Sequence, residues 1–285
     1  MTRNAIIMAA GMSSRFAPLS LETPKALLNV KDEIMIERQI GQLREAGIDE
    51  IVIVVGYLKE KFEYLKEKYH VILVENPYYK QMNNFSTLYV AREYLKNTWI
   101  CSADNYFTEN VFMEESENAF YASEYADGAT EEWCIKTDNT GKIIGVQIGG
   151  ENAWVMKGHV FFNEKFSTQL LPYLEEAFQK KELWDEYWEN LYMAHMDEME
   201  MYIRKYDAGI IEEFDSIDES REFDVKYKEC TGSKVLREIS EKLNCPEGKM
   251  TQMKPVKSNG EVIGFEFFCD GKKYECSYTS GLKTR

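Results

Sequence analysis

Residues 4–25 read NAIIMAAGMSSRFAPLSLETPK and begin with an apolar run that ends in three small residues. Asn4–Ala9 predicts a short buried strand, because a continuous apolar run of this length is typical of a strand covered on both faces. Ala9, Ala10 and Gly11 carry little or no side chain, so their backbone N–H groups can approach a phosphate closely. The loop after this strand is therefore the first candidate for a phosphate-binding site.

Two cations in this loop are spaced to suit a triphosphate. Arg15 presents a fork of donors that matches phosphate oxygens, and Lys25, which follows a rigid proline, would reach the reacting phosphates. Met12, Ser13 and Ser14 lie before Arg15 and join the nucleotide-binding candidates. A tight turn with solvated cations is the structural alternative, but a strand, A-A-G, an arginine and a later P-K pair together form a much more specific pattern.

Apolar runs and helical patterns alternate through the first hundred residues. After the first strand, the pattern predicts strands at Glu50–Val55, Val71–Val74 and Thr98–Cys101, and helices at Ile34–Ala46, Lys59–Tyr69 and Phe85–Leu95. Strand–helix alternation with short connections predicts an α/β fold, with a mostly parallel sheet and helices on both faces. Ligands bind beyond the carboxyl ends of such strands, so we expect the loops at 10–25, 76–87 and 102–106 to surround one crevice.

The rest of the chain is richer in strands, and its end differs in charge. Further elements are predicted as strands at 119–123, 132–137, 142–148, 155–162, 202–205 and 210–214 and as helices at 164–179 and 184–193. Residues 230–285 hold 10 basic and 7 acidic residues, whereas residues 182–224 hold 3 and 15. We therefore expect a main domain over 1–229 and a small α+β appendage over 230–285. The appendage is predicted to contain a helix at Ser233–Leu243 and a hairpin that turns at Asp270-Gly271.

Composition excludes several classes of protein. The formal charge of −15 leaves no basic surplus to face phosphates, so no nucleic-acid partner is expected. No apolar run approaches the roughly 18 residues of a membrane span, and the first residues lack a signal-peptide pattern. We therefore expect a cytoplasmic protein without a membrane partner. The cysteines form no C-x-x-C pair and are expected to be reduced thiols: Cys101, Cys134, Cys230, Cys245, Cys269 and Cys276.

The loop pattern also carries a family resemblance. The chain resembles the nucleotidylyltransferases, whose signature is L-A-A-G-x-G-[ST]-R followed by P-K. Within them it is most similar to bacterial CTP:phosphocholine cytidylyltransferases, through GYLKEKFEYLKEKY (56–69), NNFSTLY (83–89), ADNY (103–106), EW (132–133), EYWEN (186–190) and FDS (214–216). The resemblance covers roughly residues 3–225 and implies a Rossmann-like fold of the nucleotide-diphospho-sugar transferase type. Ser13 stands where the signature has its second glycine. This departure affects how tightly the loop is expected to bind the triphosphate.

The resemblance implies Mg²⁺ as the cofactor, held by two carboxylates. Asp104 follows the fourth strand, next to the nucleotide-binding candidate Ala103, and matches the family's metal-binding aspartate. Asp215 matches the second position, although Glu213 and Asp218 lie close to it in the sequence. Two carboxylates are sufficient because Mg²⁺ prefers hard oxygen ligands and also binds phosphates. A strand-end aspartate that caps the next turn is the structural alternative for Asp104.

A polar cluster, Asn83, Asn84, Ser86 and Thr87, opens a predicted helix. Side chains of these types cap helices, and an amide also matches the donor and acceptor edge of cytosine. The resemblance implies that this segment contacts the cytosine base or the ribose of CTP. The two roles are compatible.

Aromatic residues suggest the acceptor. A quaternary ammonium donates no hydrogen bonds, so aromatic faces and a carboxylate must hold it. Trp133, Asp185 and Tyr187 supply both, at positions that the resemblance assigns to the choline pocket, and Trp154 is a further wall. Tryptophans also pack in cores, which is the structural alternative for each of them.

The predicted reaction makes CDP-choline and pyrophosphate from CTP and phosphocholine. No general base is required, because the attacking phosphate is already an anion, and catalysis consists of positioning and charge stabilisation. The alternatives are phosphoethanolamine or 2-aminoethylphosphonate as acceptor, a sugar-1-phosphate nucleotidylyltransferase, and a nucleotide-binding protein without activity. The cluster WDEYW (184–188) argues against a sugar, and the intact loop cations argue against a loss of activity.

The C-terminal segment carries a second resemblance. FEFFCDGKKYECSYTSG (265–281) is similar to the first strands of bacterial choline kinases, which suggests a remnant of a kinase N-terminal lobe. The catalytic residues of a kinase would come later in the sequence, so we predict no kinase activity. Packing on the main domain and self-association into a homo-oligomer are both open roles for the segment.

Overall fold

The computed structural model describes residues 3–114 and 116–284. The strands are β1 (Arg3–Ala9), β2 (Asn29–Val30), β3 (Glu33–Ile34), β4 (Glu50–Val55), β5 (Ile72–Glu75), β6 (Asn97–Ser102), β7 (Asn105–Phe107), β8 (Phe120–Thr137), β9 (Ile143–Phe162), β10 (Tyr202–Tyr206), β11 (Ile211–Glu213), β12 (Thr251–Ser258), β13 (Glu261–Cys269), β14 (Lys272–Ser277) and β15 (Gly281–Thr284). The helices are α1 (Leu19–Glu22), α2 (Met35–Glu45), α3 (Tyr64–Tyr69), α4 (Phe85–Val90), α5 (Glu164–Gln179), α6 (Trp188–Ala194), α7 (Ile217–Phe223), α8 (Lys226–Glu229) and α9 (Lys234–Leu243). Within these described ranges, no helix is both long enough and apolar enough to cross a membrane.

The first of two compact units comprises Met1–Gly11 and Ile36–Glu213. Its seven-stranded sheet has the order β10-β8-β9-β6-β1-β4-β5. The strands β6, β1, β4 and β5 are parallel, in agreement with the predicted α/β fold, and β9 pairs antiparallel with β6 and β8. The centres of β1 and β4 are fully buried, which explains their continuous apolar sequences.

Two long strands replace four shorter ones that the sequence predicts in the middle of the chain. β8 and β9 pair from Phe120↔Phe161 to Thr137↔Ile143, with several register shifts between. The predicted breaks fall on glycine-containing stretches, and Gly128 and Gly149 both have positive φ. The strands continue through these positions as irregularities, because a bulge adds a residue without ending the ladder.

The second unit comprises Met12–Met35 and Phe214–Arg285. It contains the antiparallel sheet β12-β13-β14-β15 and the helix α9, which Ser233 caps through a hydrogen bond from Leu236 N. The predicted helix and hairpin are present, but the division falls at Phe214 and not after residue 229. The change in charge near residue 230 did not locate this boundary. Hydrogen bonds join the early loop to residues before 230, and one of them runs from Tyr227 Oη to Asn29 O at 2.7 Å.

The cysteines correct one prediction. Cys245 and Cys269 form a disulfide, whereas all the cysteines were expected to be reduced. These two residues are 24 positions apart, and the fold of the second unit brings the end of α9 to the end of β13, which spacing alone does not reveal. The free thiols are Cys101, Cys134, Cys230 and Cys276.

Candidate active site

The turn after β1 approaches the neighbouring strand closely. Ala10 O accepts a hydrogen bond from Tyr57 N at 3.1 Å, and a Cβ on Gly56 would lie 2.9 Å from the same oxygen. A side chain at Gly56 would therefore push this turn away. Ala9 and Ala10 are buried and Gly11 is exposed, so the chain reaches the surface at the third small residue.

Ser13 adopts the backbone conformation that glycine takes most easily. Its φ is 47° and its ψ is 46°, and its carbonyl accepts from Phe16 N at 2.9 Å to begin a 3₁₀ turn over Ser14–Phe16. Met12 precedes it at a partly exposed position. An L-residue in this left-handed region costs roughly 1–2 kcal/mol. Ser13 thus preserves the turn that the signature glycine would make, at some cost in stability.

We expect Ser13→Gly to raise the free energy of unfolding by about 1 kcal/mol relative to Ser14→Gly, because only the first change relieves a left-handed residue. Both variants add glycine to the same loop, so the entropy of the unfolded chain changes equally in the pair. Denaturant unfolding of the two variants measures the difference. Equal stabilities would contradict a strained Ser13.

The structure brings three of the predicted residues together in the second unit. Arg15 Nη1 lies 2.5 Å from Asp215 Oδ2, and Lys25 Nζ lies 4.0 Å from Asp215 Oδ1. The Lys25 side chain is only 5% exposed, whereas that of Arg15 is 70% exposed. The buried ammonium group of Lys25 is held in one position, whereas the exposed guanidinium group of Arg15 can turn towards an anionic ligand. The cluster pairs one positioned and one adjustable cation with a carboxylate.

The neighbours of Asp215 explain its place. Asp215 N donates to Glu219 Oε2 at 2.8 Å, and Ser216 caps α7 through Glu219 N. Asp218, a competing metal-ligand candidate, instead bonds Arg221 at 3.0 Å and accepts from Gln252 N at 2.7 Å. Its carboxylate is therefore engaged in holding the fold of the second unit.

Asp104 lies in the turn between β6 and β7, and it is half-buried. Gln39 fixes this turn from both sides, because its amide donates to Ser102 O at 2.9 Å and to Asn105 O at 2.7 Å. Ala103, just before it, is buried and donates its N–H to Met8 O at 3.2 Å. Since β1 and β6 are parallel neighbours, Asp104 lies at the same sheet edge as the turn after β1.

The two asparagines at the start of α4 connect it to the segment before α6. Asn83 Nδ2 donates to Asp185 O at 2.9 Å, and Asn84 Oδ1 accepts from Trp188 N at 2.8 Å. The side chain of Asn84, the N-cap residue of α4, makes no capping hydrogen bond. The predicted helix at 184–193 begins only at Trp188, whose N–H is the donor to Asn84.

Ser86 and Thr87 are buried and bind a residue that the sequence did not single out. Asn76 Nδ2 donates to Ser86 Oγ at 2.9 Å and to Thr87 Oγ1 at 3.2 Å, and Asn76 itself is 1% exposed. Both hydroxyls therefore support the end of β5 in this structure. Their contact with a nucleotide stays a prediction from the resemblance. The position of Asn76 directly after an apolar strand was the signal that could have identified it.

A buried carboxylic acid, Glu189, lies behind this segment. Its Oε2 accepts from Asn84 Nδ2 at 3.2 Å and its Oε1 from Tyr121 Oη at 3.3 Å. Burial raises the pKa of Glu189 to about 7, although these hydrogen bonds act in the opposite direction. Glu189 thus fixes the orientation of the Asn84 amide. The sequence did not single it out, because a glutamate in an acidic region is expected to face solvent.

The predicted acceptor residues are only partly assembled. The rings of Trp133 and Tyr187 lie 5.9 Å apart at 83°, and Asp185 is exposed in the same segment as Tyr187. Two rings at right angles can form two walls of a pocket for a cation. Trp154 instead packs edge-on against Tyr125 at 5.4 Å. The structure therefore brings two of the three predicted aromatic residues together, and their contact with an acceptor stays a prediction.

Fold and site together define a class of nucleotide-transferring protein. The MobA-like NTP transferase domain matches residues 5–182, and the chain belongs to this family. The chain is 36% identical over 220 residues to choline-phosphate cytidylyltransferase of Streptococcus pneumoniae, which covers 77% of this chain and 96% of that protein. It is 37% identical over 228 residues to 2-aminoethylphosphonate cytidylyltransferase of Lancefieldella rimae, covering 79% and 93%.

A solved structure agrees with these sequence relatives. The structure of CTP:phosphocholine cytidylyltransferase from Streptococcus pneumoniae superposes with a TM-score of 0.76 at 35% identity, over 80% of this chain and all of that one. The nucleotidylyltransferase fold that the sequence predicts is thereby confirmed.

Proposed function

We propose that this protein is a cytidylyltransferase that forms CDP-choline and pyrophosphate from CTP and phosphocholine. The observation that carries the proposal is the pair of perpendicular rings, Trp133 and Tyr187, beside the exposed carboxylate Asp185. Ring faces and a carboxylate suit a quaternary ammonium, which offers charge but no hydrogen-bond donor. The activities for which the two similar relatives are named supply the nucleotide, CTP, and the class of acceptor.

In the proposed reaction, a phosphate oxygen of phosphocholine attacks the α-phosphorus of CTP. The bond from the α-phosphorus to the bridging oxygen breaks, and pyrophosphate leaves with its electron pair. Arg15 holds the outer phosphates, and the buried Lys25 neutralises charge between acceptor and α-phosphate. The attacking oxygen is already anionic, so these residues act by positioning and electrostatics.

Mg²⁺ is the cofactor that we propose. Asp104 and Asp215 would hold it through carboxylate oxygens, the donor type that Mg²⁺ prefers, and two protein ligands suffice because the ion keeps waters and binds phosphates. When bound, it would withdraw charge from the triphosphate. Arg15 and Lys25 already stand beside Asp215, so this carboxylate would be shared between the ion and two cations. The proposal includes a cytoplasmic enzyme without a nucleic-acid or membrane partner.

Pyrophosphate release tests this function directly. CTP, UTP, ATP and dTTP are each combined with phosphocholine, phosphoethanolamine, 2-aminoethylphosphonate and glucose-1-phosphate, with Mg²⁺ and with EDTA. We expect the highest kcat/KM with CTP and phosphocholine, and no turnover with EDTA. A higher kcat/KM with an acceptor that carries a primary amine would leave the cytidylyl-transfer reaction in place and change the identity of the acceptor, in line with the second relative. No turnover in any combination would contradict the proposed function.

A further inference from the structure

The signature loop, residues 12–25, is attached to the C-terminal segment through Glu22. Glu22 Oε1 accepts from Ser233 Oγ at 2.5 Å, and Glu22 Oε2 accepts from Lys234 N at 2.8 Å. Val235 N also donates to Oε1, at 3.4 Å. A carboxylate at the N-terminus of a helix is stabilised by its unpaired N–H groups and its dipole. One residue of the loop thus completes the cap of α9.

A second contact joins the same two stretches of the second unit. The strand β12 packs against the 3₁₀ turn that contains Arg15. The C-terminal segment therefore touches the loop near both of its cations, since Glu22 lies three residues before Lys25.

The attachment point is itself rigid. Glu247 is buried, and its Oε2 accepts from Thr231 N at 2.9 Å and from Thr231 Oγ1 at 2.6 Å. The disulfide from Cys245 to Cys269 joins the end of α9 to the sheet. A loop held against such a body loses freedom before any ligand arrives, which lowers the cost of binding.

We propose that the C-terminal segment is a brace of the signature loop, with Glu22 as the positioning residue, and that this brace sets the affinity for the nucleoside triphosphate. The affinity part rests on the proposed function. The family match ends at residue 182 and α9 begins at Lys234, so the brace lies outside the matched domain. Glu22 acts through Arg15 and Lys25.

Two readouts on the full chain test the brace. In Glu22→Ala, we expect faster amide hydrogen exchange in residues 12–25 without nucleotide, and a rise of about tenfold in the KM for CTP, since a displacement of about 1 Å can cost up to 10²-fold. The KM for phosphocholine should stay within about twofold. Glu22→Gln keeps an acceptor oxygen and is expected to recover most of both effects.

Glu266→Gln is the matched control, because it weakens the ion pair with Lys273 inside the C-terminal sheet and leaves Glu22 and its partners Ser233 and Lys234 in place. We expect exchange in residues 12–25 and the KM for CTP to stay unchanged in this variant. Unchanged amide hydrogen exchange in residues 12–25 of Glu22→Ala would contradict the proposed brace. An equal rise of the KM for CTP and the KM for phosphocholine would contradict it as well. If the wild type does not turn over CTP, the proposed function and the affinity part fail together, and the exchange readout still decides whether Glu22 braces the loop.

Discussion

Lys25→Met is expected to lower kcat by roughly 10²- to 10³-fold, the range found when one preorganised electrostatic group is removed from an active site. Methionine keeps most of the apolar stem and deletes only the charge. The Lys25 side chain is 5% exposed and its Nζ lies 5.1 Å from the ring centroid of Phe16, so the charge is held in place before substrate binds. Because Arg15 remains, we expect the KM for CTP to change by only about threefold. Steady-state kinetics with varied CTP separates the two effects.

Lys31→Met is the control for this prediction. Lys31 is exposed, belongs to the same unit, and also places its Nζ over an aromatic ring, that of Phe223 at 4.7 Å. Its removal should leave kcat within about twofold, because an exposed cation outside the site is well screened. A kcat above a third of the wild-type value in Lys25→Met, with folding intact, would remove Lys25 from the mechanism.

The parts of the fold that follow from local pattern were predictable. The strands β1 and β4 contain continuous apolar runs, and α5 begins and ends as its helical periodicity indicates. The β8–β9 arm was predicted in pieces, because glycine signals a turn in sequence whether the chain turns there or only bulges. Sequence pattern thus located the elements and misjudged where the long strands end.

The candidate site was predictable where its residues follow a strand or a signature. Arg15, Lys25 and Asp215 were each singled out from the sequence, and the structure places them together although 190 positions separate the last two. The roles of Asn84 and Glu22 were not predictable, because each bonds a distant backbone N–H whose position depends on tertiary packing. A polar residue that organises a neighbouring segment has the same local sequence as one that binds a ligand or faces water.

A substitution at Trp133 gives the sharpest test of which acceptor the protein uses. With phosphocholine, Trp133→Ala is expected to raise the KM by about 30-fold, because a desolvated cation–π contact is worth about 2 kcal/mol or more. The KM for CTP should stay within about twofold, because the acceptor wall has no role in gripping the triphosphate. Trp133→Phe keeps a smaller ring face, so its KM for phosphocholine should lie between those of the wild type and of Trp133→Ala. Initial rates at saturating CTP measure the effect.

Tyr125→Ala provides the comparison on the same strand, β8. Tyr125 is 45% exposed and forms a similar edge-on pair with Trp154, so its loss removes an equivalent ring at another position. We expect its KM for phosphocholine to remain near the wild-type value. A primary ammonium can donate hydrogen bonds, so for 2-aminoethylphosphonate the larger loss should come from Asp185→Asn and not from Trp133→Ala. If Trp133→Ala and Tyr125→Ala behave alike with phosphocholine, the ring of Trp133 does not hold the acceptor.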